Sequence, residues 1–256
     1  MNTKLRLAIF GIITGASMMA ATSANAACSA VTYSAFTAAA NLAATQTDGF
    51  GFGLPMWASM VDETGLVCHV YSTDSGVANT GALAGNIAWL GSRMISAQKA
   101  NTANAFSLNG LAISSGAIYA AVVPGGSLYG LQASNPVDAS KAYGGSPNTN
   151  GTSADFMKNK RLGGINVFGG GVALYSGGVK VGAIGASGDT SCRDHAFAYR
   201  MRIALGMDGS PPGPINDDGL VLTPSEPSAL FQQPECGVAD PTAHANDNGS
   251  SDFGVR

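Results

Sequence analysis

Apolar and polar positions divide the chain into segments of different period. Leu7–Ala21 is a continuous apolar run, preceded by Lys4 and Arg6 and followed by Ala24-Asn25-Ala26. A basic start, a short apolar middle and a small-x-small end predict a secretory signal peptide over residues 1–26, too short for a membrane span. The remaining chain is then expected to begin at Ala27 and to be periplasmic or secreted. Tyr33–Thr47 is alanine-rich and predicts a helix. Pro55–Val61 and Leu66–Tyr71 predict strands, joined by a hairpin turn at Asp62-Glu63-Thr64-Gly65. Leu83–Phe106 predicts helix in two pieces broken near Gly91. Ser114–Val123 predicts a short helix stopped by Pro124-Gly125-Gly126. Ser127–Ala133 predicts a strand, and residues 134–163 a long loop. Three more strands are predicted at Ile165–Phe168, Val172–Tyr175 and Val179–Ala186, the last two paired over Ser176-Gly177-Gly178. Ser191–Leu205 predicts the final helix.

From Asp208 the periodicity ends. Seven of the 11 prolines lie in residues 208–256, among many Asp, Asn and Ser. Such a segment cannot bury enough apolar area to fold alone. The reading is therefore one domain over residues 27–207 and a Pro-rich tail over 208–256, tethered through Cys236.

Four cysteines, Cys28, Cys68, Cys192 and Cys236, are an even set. Their spacing excludes a CxxC redox or zinc-ribbon pattern, and export favours two disulfides. Three pairings are open. Cys192 and Cys236 flank the last helix and the tail, which favours Cys192–Cys236 with Cys28–Cys68. Charge adds an exclusion. Without Lys4 and Arg6, the excess of 16 acids over 13 basic residues grows by two, which argues against a nucleic-acid binder. Only 11% of residues are charged and 35 are Gly, a small-residued surface that suits a secreted protein and leaves room for close subunit packing.

Candidate chemistry concentrates in Val179–Leu205. A strand runs into a turn with Gly182, Gly185 and Gly188, then into a helix whose N-cap candidates are Asp189, Thr190 and Ser191. A helix N-terminus beside bare glycines offers free N–H groups and a positive dipole end. His195 follows, and that dipole favours the neutral imidazole that binds metal. The glycine spacing is not GxGxxG, and no acidic residue follows at the right distance for a dinucleotide site. Gly185-Ala186-Ser187-Gly188 lacks the last glycine of a nucleophile elbow. His69 lies in a strand, opposite in phase to Cys68, and His244 lies in the tail. Scattered histidines make no zinc site, but one histidine suffices for haem. Met56, Trp57, Met60, Tyr71, Met94, Tyr119 and Phe168 are candidate apolar walls, or ordinary core.

Taken in order, four motifs form a pattern. They are Val61-Asp62 with Gly65; Lys99-Ala100-x-Thr102-Ala103-x-x-Phe106; Gly170-Gly171-Val172; and Val181-Gly182-Ala183-Ile184-Gly185-Ala186-Ser187-Gly188 with Asp194. This pattern resembles the haem-binding or haem-degrading family that includes the GlcG, HbpS and PduO C-terminal proteins, over roughly Tyr33 to Leu205. The resemblance implies an α/β (α+β) domain, with a profilin-like, mostly antiparallel sheet of about five strands flanked by helices. It also implies even-numbered homo-oligomers and binding of haem or a related small molecule. This chain departs from the family at Ala173, where a proline is usual, and at Asp194-His195, where Asp-Glu is usual. The resulting expectation is an exported haem-binding or sequestering module. His195 is the candidate ligand to haem iron, and Lys99, Thr102, Gly188, Asp189 and Thr190 are candidate haem-binding residues. The alternatives are a haem-degrading or haem-dependent redox enzyme, and a structural oligomer or binder of another small molecule.

Overall fold

The computed structural model describes residues 27–45, 51–74, 85–209 and 218–220. The expected signal peptide and most of the expected tail, including Cys236 and His244, lie outside the described residues. Helices α1 (Ala27–Ala30) and α2 (Tyr33–Ala44) precede strands β1 (Trp57–Asp62) and β2 (Val67–Ser72). Then come α3 (Gly91–Phe106), the short helices α4 (Tyr119–Val122), α5 (Leu131–Ser134) and α6 (Ala139–Ala142), strands β3 (Gly171–Ser176) and β4 (Val179–Ser187), and α7 (Ser191–Ala204). All strand pairs are antiparallel, in the order β2-β1-β4-β3.

Both faces of this sheet are covered. Ala58, Met60, Ile184 and Ala186 pack with Phe36 of α2 and Phe197 and Met201 of α7. Trp57, Val61 and Ala183 pack on the other side against Ala97, Ala100 and Ala103 of α3. The small side chains of α3 answer Gly185, where a Cβ would run into the Ser96 carbonyl. Helix and strand backbones therefore touch at this crossing. Gly177 and Gly178 both hold positive φ, as a two-residue hairpin between β3 and β4 needs.

Four predicted segments differ. Ile165–Phe168 is not a strand, because its amides are taken elsewhere: Ile165 N–H donates to Asn135 O, Asn166 N–H to Thr102 Oγ1 and Val167 N–H to Gln132 Oε1. Ser127–Ala133 is a turn running into α5, with left-handed Gly130 between them. Without these two, the six predicted strand segments become the four observed, against the about five that the resemblance implies. Among the described residues, helix in Leu83–Phe106 begins only at Gly91, because Trp89 has φ 55°. Residues 134–163 are not one open loop: Asp138 caps α6 by accepting from the Ser140 and Lys141 amides.

Cys28 and Cys68 are joined by a disulfide between α1 and β2. A register shift near Met60 and Val61 changes the phase of β2. His69 consequently shares the α1–α2 side with Cys68, its Nε2 donating to Val31 O at 2.7 Å, contrary to simple alternation. Cys192 is also disulfide-bonded. Among the described residues no helix is long and apolar enough to cross a membrane.

Candidate functional site

The chain crosses from β4 to α7 at Gly188-Asp189-Thr190, and this turn is the centre of the site. Thr190 caps α7, its Oγ1 accepting from the Arg193 amide at 3.2 Å. Gly188 has no room for a Cβ, which would meet the Pro55 carbonyl. Asp189 does not face solvent as a free anion or cap the helix. Its carboxylate accepts from Phe52 N–H at 2.9 Å and Leu54 N–H at 3.1 Å. The Trp89 indole N–H donates to Gly188 O. Two loops far apart in sequence are thus tied to consecutive residues of one turn.

Both loops carry an exposed aromatic ring: Phe52 is 70% and Trp89 54% accessible. A third is Phe168, 43% accessible, its ring 6.0 Å from that of Tyr119. Phe168 leads into Gly169, where a Cβ would strike the Ser191 carbonyl in the first turn of α7. The segments that carry three exposed aromatics therefore meet at residues 188–191. Exposed aromatics gathered at one point mark an interaction surface more often than scattered ones do.

Beneath this rim lies a buried ion pair. Lys99 Nζ on α3 donates to Asp194 Oδ2 on α7 at 2.7 Å, and Asp194 Oδ1 accepts from the Asp189 amide at 2.9 Å. Burial pushes the Asp194 carboxyl up to about 6, against the opposing pull of Lys99 and of the Asp189 N–H. Gly170 lets the pair approach, since a Cβ there would meet Asp194 Cβ and Lys99 Cδ.

The residues expected to bind a ligand are thus brought together, but their polar groups serve the fold. Lys99 is committed to Asp194. Thr102, fully buried, donates to Gln98 O and accepts from Asn166 N–H. Gly188, Asp189 and Thr190 are committed as described. His195 differs most from expectation. Its ring is fully buried and stacks on Tyr199 at 6.4 Å, because α7 is enclosed on all sides from Cys192 to Arg202. Of the candidate walls, Met56, Trp57 and Met60 are core, Tyr71, Met94 and Tyr119 are half-buried, and Phe168 reaches the surface. Phe52 and Trp89 were not among the candidates. Trp89 sits in a segment read as helix, and its left-handed backbone has no composition signal.

The HbpS-like haem-degrading protein model matches residues 29–201. The chain belongs to this family. Among solved structures it is similar to the Klebsiella pneumoniae protein ORFY, a DUF336 protein, at 23% identity and a TM-score of 0.44, covering 69% of this chain and 90% of that one. It is similar also to a PduOC–haem complex, at 21% identity and a TM-score of 0.44, covering 69% of this chain and 94% of that one. No curated protein is significantly similar to the chain.

Haem asks for apolar walls, partners for its propionates and an axial donor. The aromatic rim fits the first. For the second, the positive end of α7 is already faced by the carboxylates of Asp189 and Asp194 and by the Thr190 cap. The third is not met by an exposed imidazole among the described residues, since His69 and His195 are both buried. A separate concavity of about 130 Å³, lined by Leu90, Met94, Tyr143 and Asn150, falls below the roughly 300 Å³ of ordinary small-molecule pockets.

Proposed function

We propose that the protein binds haem at the N-terminal end of α7, as an exported haem-binding or sequestering module. The observation that carries this reading is the meeting of the segments that carry Phe52, Trp89 and Phe168 at residues 188–191, in a member of a haem-related family. The rim would face the macrocycle. Lys99 and Asp194 would hold the turn in shape from below. Signal-peptide cleavage before Ala27 and assembly into a homo-oligomer belong to the same proposal.

Titrating purified protein with haem tests it directly. A saturable Soret band at about one haem per chain is expected, and its absence overturns the reading. N-terminal sequencing of the exported form should begin at Ala27, and light scattering gives the oligomer size.

A second reading, haem degradation, is favoured by one observation. The Asp194 carboxyl lies beneath the turn, bonded to Lys99 and to the Asp189 amide, and burial raises its pKa to about 6, which makes it a titratable group beside the rim. Bound haem would supply the iron and the macrocycle to be opened by dioxygen, with electrons from an added reductant. Loss of the Soret band with ascorbate and dioxygen supports this reading; a stable band supports sequestration alone.

A further inference from the structure

Trp89 is the most unusual backbone position on this surface. Among the described non-glycine residues only Trp89 and Asn159 have positive φ, at 55° and 61°. Asparagine adopts that region readily, whereas a bulky aromatic does so against steric resistance. Strain of this kind persists where the surroundings over-determine it, and it clusters at ligand clamps.

The surroundings here do over-determine it. The preceding residue, Ala88, accepts the indole N–H of buried Trp57 at 2.8 Å, and its own amide donates to Asn86 Oδ1 at 2.8 Å. Asn86 N–H in turn donates to Asn150 O at 3.0 Å. Residues 86–89 are therefore held in place by the fold, which lowers the ordering cost of binding. The indole N–H of Trp89 is spent on Gly188 O, so the part of the side chain left to solvent is its apolar ring. Phe52 repeats the arrangement. Its backbone amide is held by Asp189, and its ring is left outside. A core residue buries its ring and leaves polar atoms at the edge. Here the polar atoms are bonded to the turn and the rings are presented.

We infer that Trp89 and Phe52 are the ring-stacking residues that hold the porphyrin plane, with the strained Trp89 backbone fixing the indole over the Gly188 turn. The inference rests on the haem reading above. The occupant is a flat apolar macrocycle, since two presented rings suit its faces. Stacking needs no iron, so the same residues should hold an iron-free porphyrin.

The test uses the full chain and two probes, haem and iron-free protoporphyrin IX, followed by absorbance and by fluorescence quenching. Trp89→Ala and Phe52→Ala should each weaken both probes at least tenfold, with unchanged far-ultraviolet circular dichroism. Trp89→Phe should stay within about threefold of wild type, since it keeps an aromatic face. Leu108→Ala, exposed beyond the opposite end of α3 from Trp89, should change nothing. If Trp89→Ala does not fold, Phe52→Ala and Trp89→Phe still decide. Wild-type binding that both alanine variants retain overturns the inference and leaves the haem reading standing. Variants that change oligomer size but not porphyrin binding also overturn it, making the rim a contact with a second copy. No binding by wild type overturns both.

Discussion

Lys99 Nζ and Asp194 Oδ2 stand 2.7 Å apart, and each side chain is only 3% exposed. The pair links α3 to α7 across the end of the sheet that carries the candidate site. A buried pair adds little net stability compared with apolar residues of the same shape, but removing one partner leaves a charge alone in a medium that cannot solvate it. Lys99→Met should therefore cost about 3–5 kcal/mol. Lys99→Met combined with Asp194→Leu should recover most of that loss. Urea denaturation of wild type, both single variants and the double variant measures it; additive losses would refute the coupling.

His69 should make the protein less stable in acid. Burial pushes its pKa below the usual 6.5, although the hydrogen bond to Val31 O pulls the other way and Lys158 adds to the lowering. The rings of Tyr33 and Phe36 lie 5.8 and 5.4 Å away, and among the described residues the buried Nδ1 has no hydrogen-bond partner to receive a second N–H. The unfolded chain then takes up a proton at higher pH than the folded chain. Stability is full above about 6.5 and falls as pH drops toward the lowered folded value. Asp194 acts oppositely: its raised pKa adds stability as pH falls from about 6 toward 3.8. Because the two windows overlap, the measurement is a comparison. Unfolding free energies of wild type and His69→Gln between pH 7 and 5 should diverge, with the variant losing less.

Much of this fold is legible in the sequence, and the exceptions share a physical cause. The Asp62–Gly65 turn, the Ser176–Gly178 hairpin and α7 all carry local chemistry that fixes them: turn glycines, a Thr cap, an alternating or alanine-rich run. Ile165–Phe168 has strand composition but no ladder partner, because Thr102, Gln132 and Asn135 claim its amides from a distance. The glycine turn and its neighbours Lys99 and Asp194 could be found from their motifs. Phe52 and Trp89 could not, since only the tertiary bonds to Asp189 and Gly188 bring them there. His195 lies deeper than its sequence suggests for a related reason. A helix as polar as α7 reads as half-exposed, yet Arg193, Asp194, His195, Arg200 and Arg202 are all buried. Arg202 shows how: it is held by Asp218 at 2.6 Å and Asp208 at 2.7 Å.

Cys192 should be bonded to Cys236. Cys28 is taken by Cys68, Cys192 is bonded, and Cys236 is the cysteine that remains in the chain. The bond would close a ring of about 45 residues, and the chain-entropy account gives such a ring about 4 kcal/mol. It would fasten the tail beside the first turn of α7. Peptide mapping without reduction should recover the Cys192 and Cys236 peptides as one species. A Cys192 linked between two chains would refute the pairing.

His195→Ala should act on the fold and not on the iron. The ring is fully buried, five residues beyond the Thr190 cap and stacked on Tyr199, so direct ligation would require α7 to leave the sheet. Substituting alanine removes buried ring volume and a polar group within the helix layer, a loss of about 1–3 kcal/mol. The haem-loaded variant should keep the Soret position of wild type while its denaturation midpoint falls. A Soret band displaced or lost in a variant whose circular dichroism is unchanged would mean the opposite. In that case α7 opens on binding, and His195 is the axial ligand that the helix conceals in the unliganded chain.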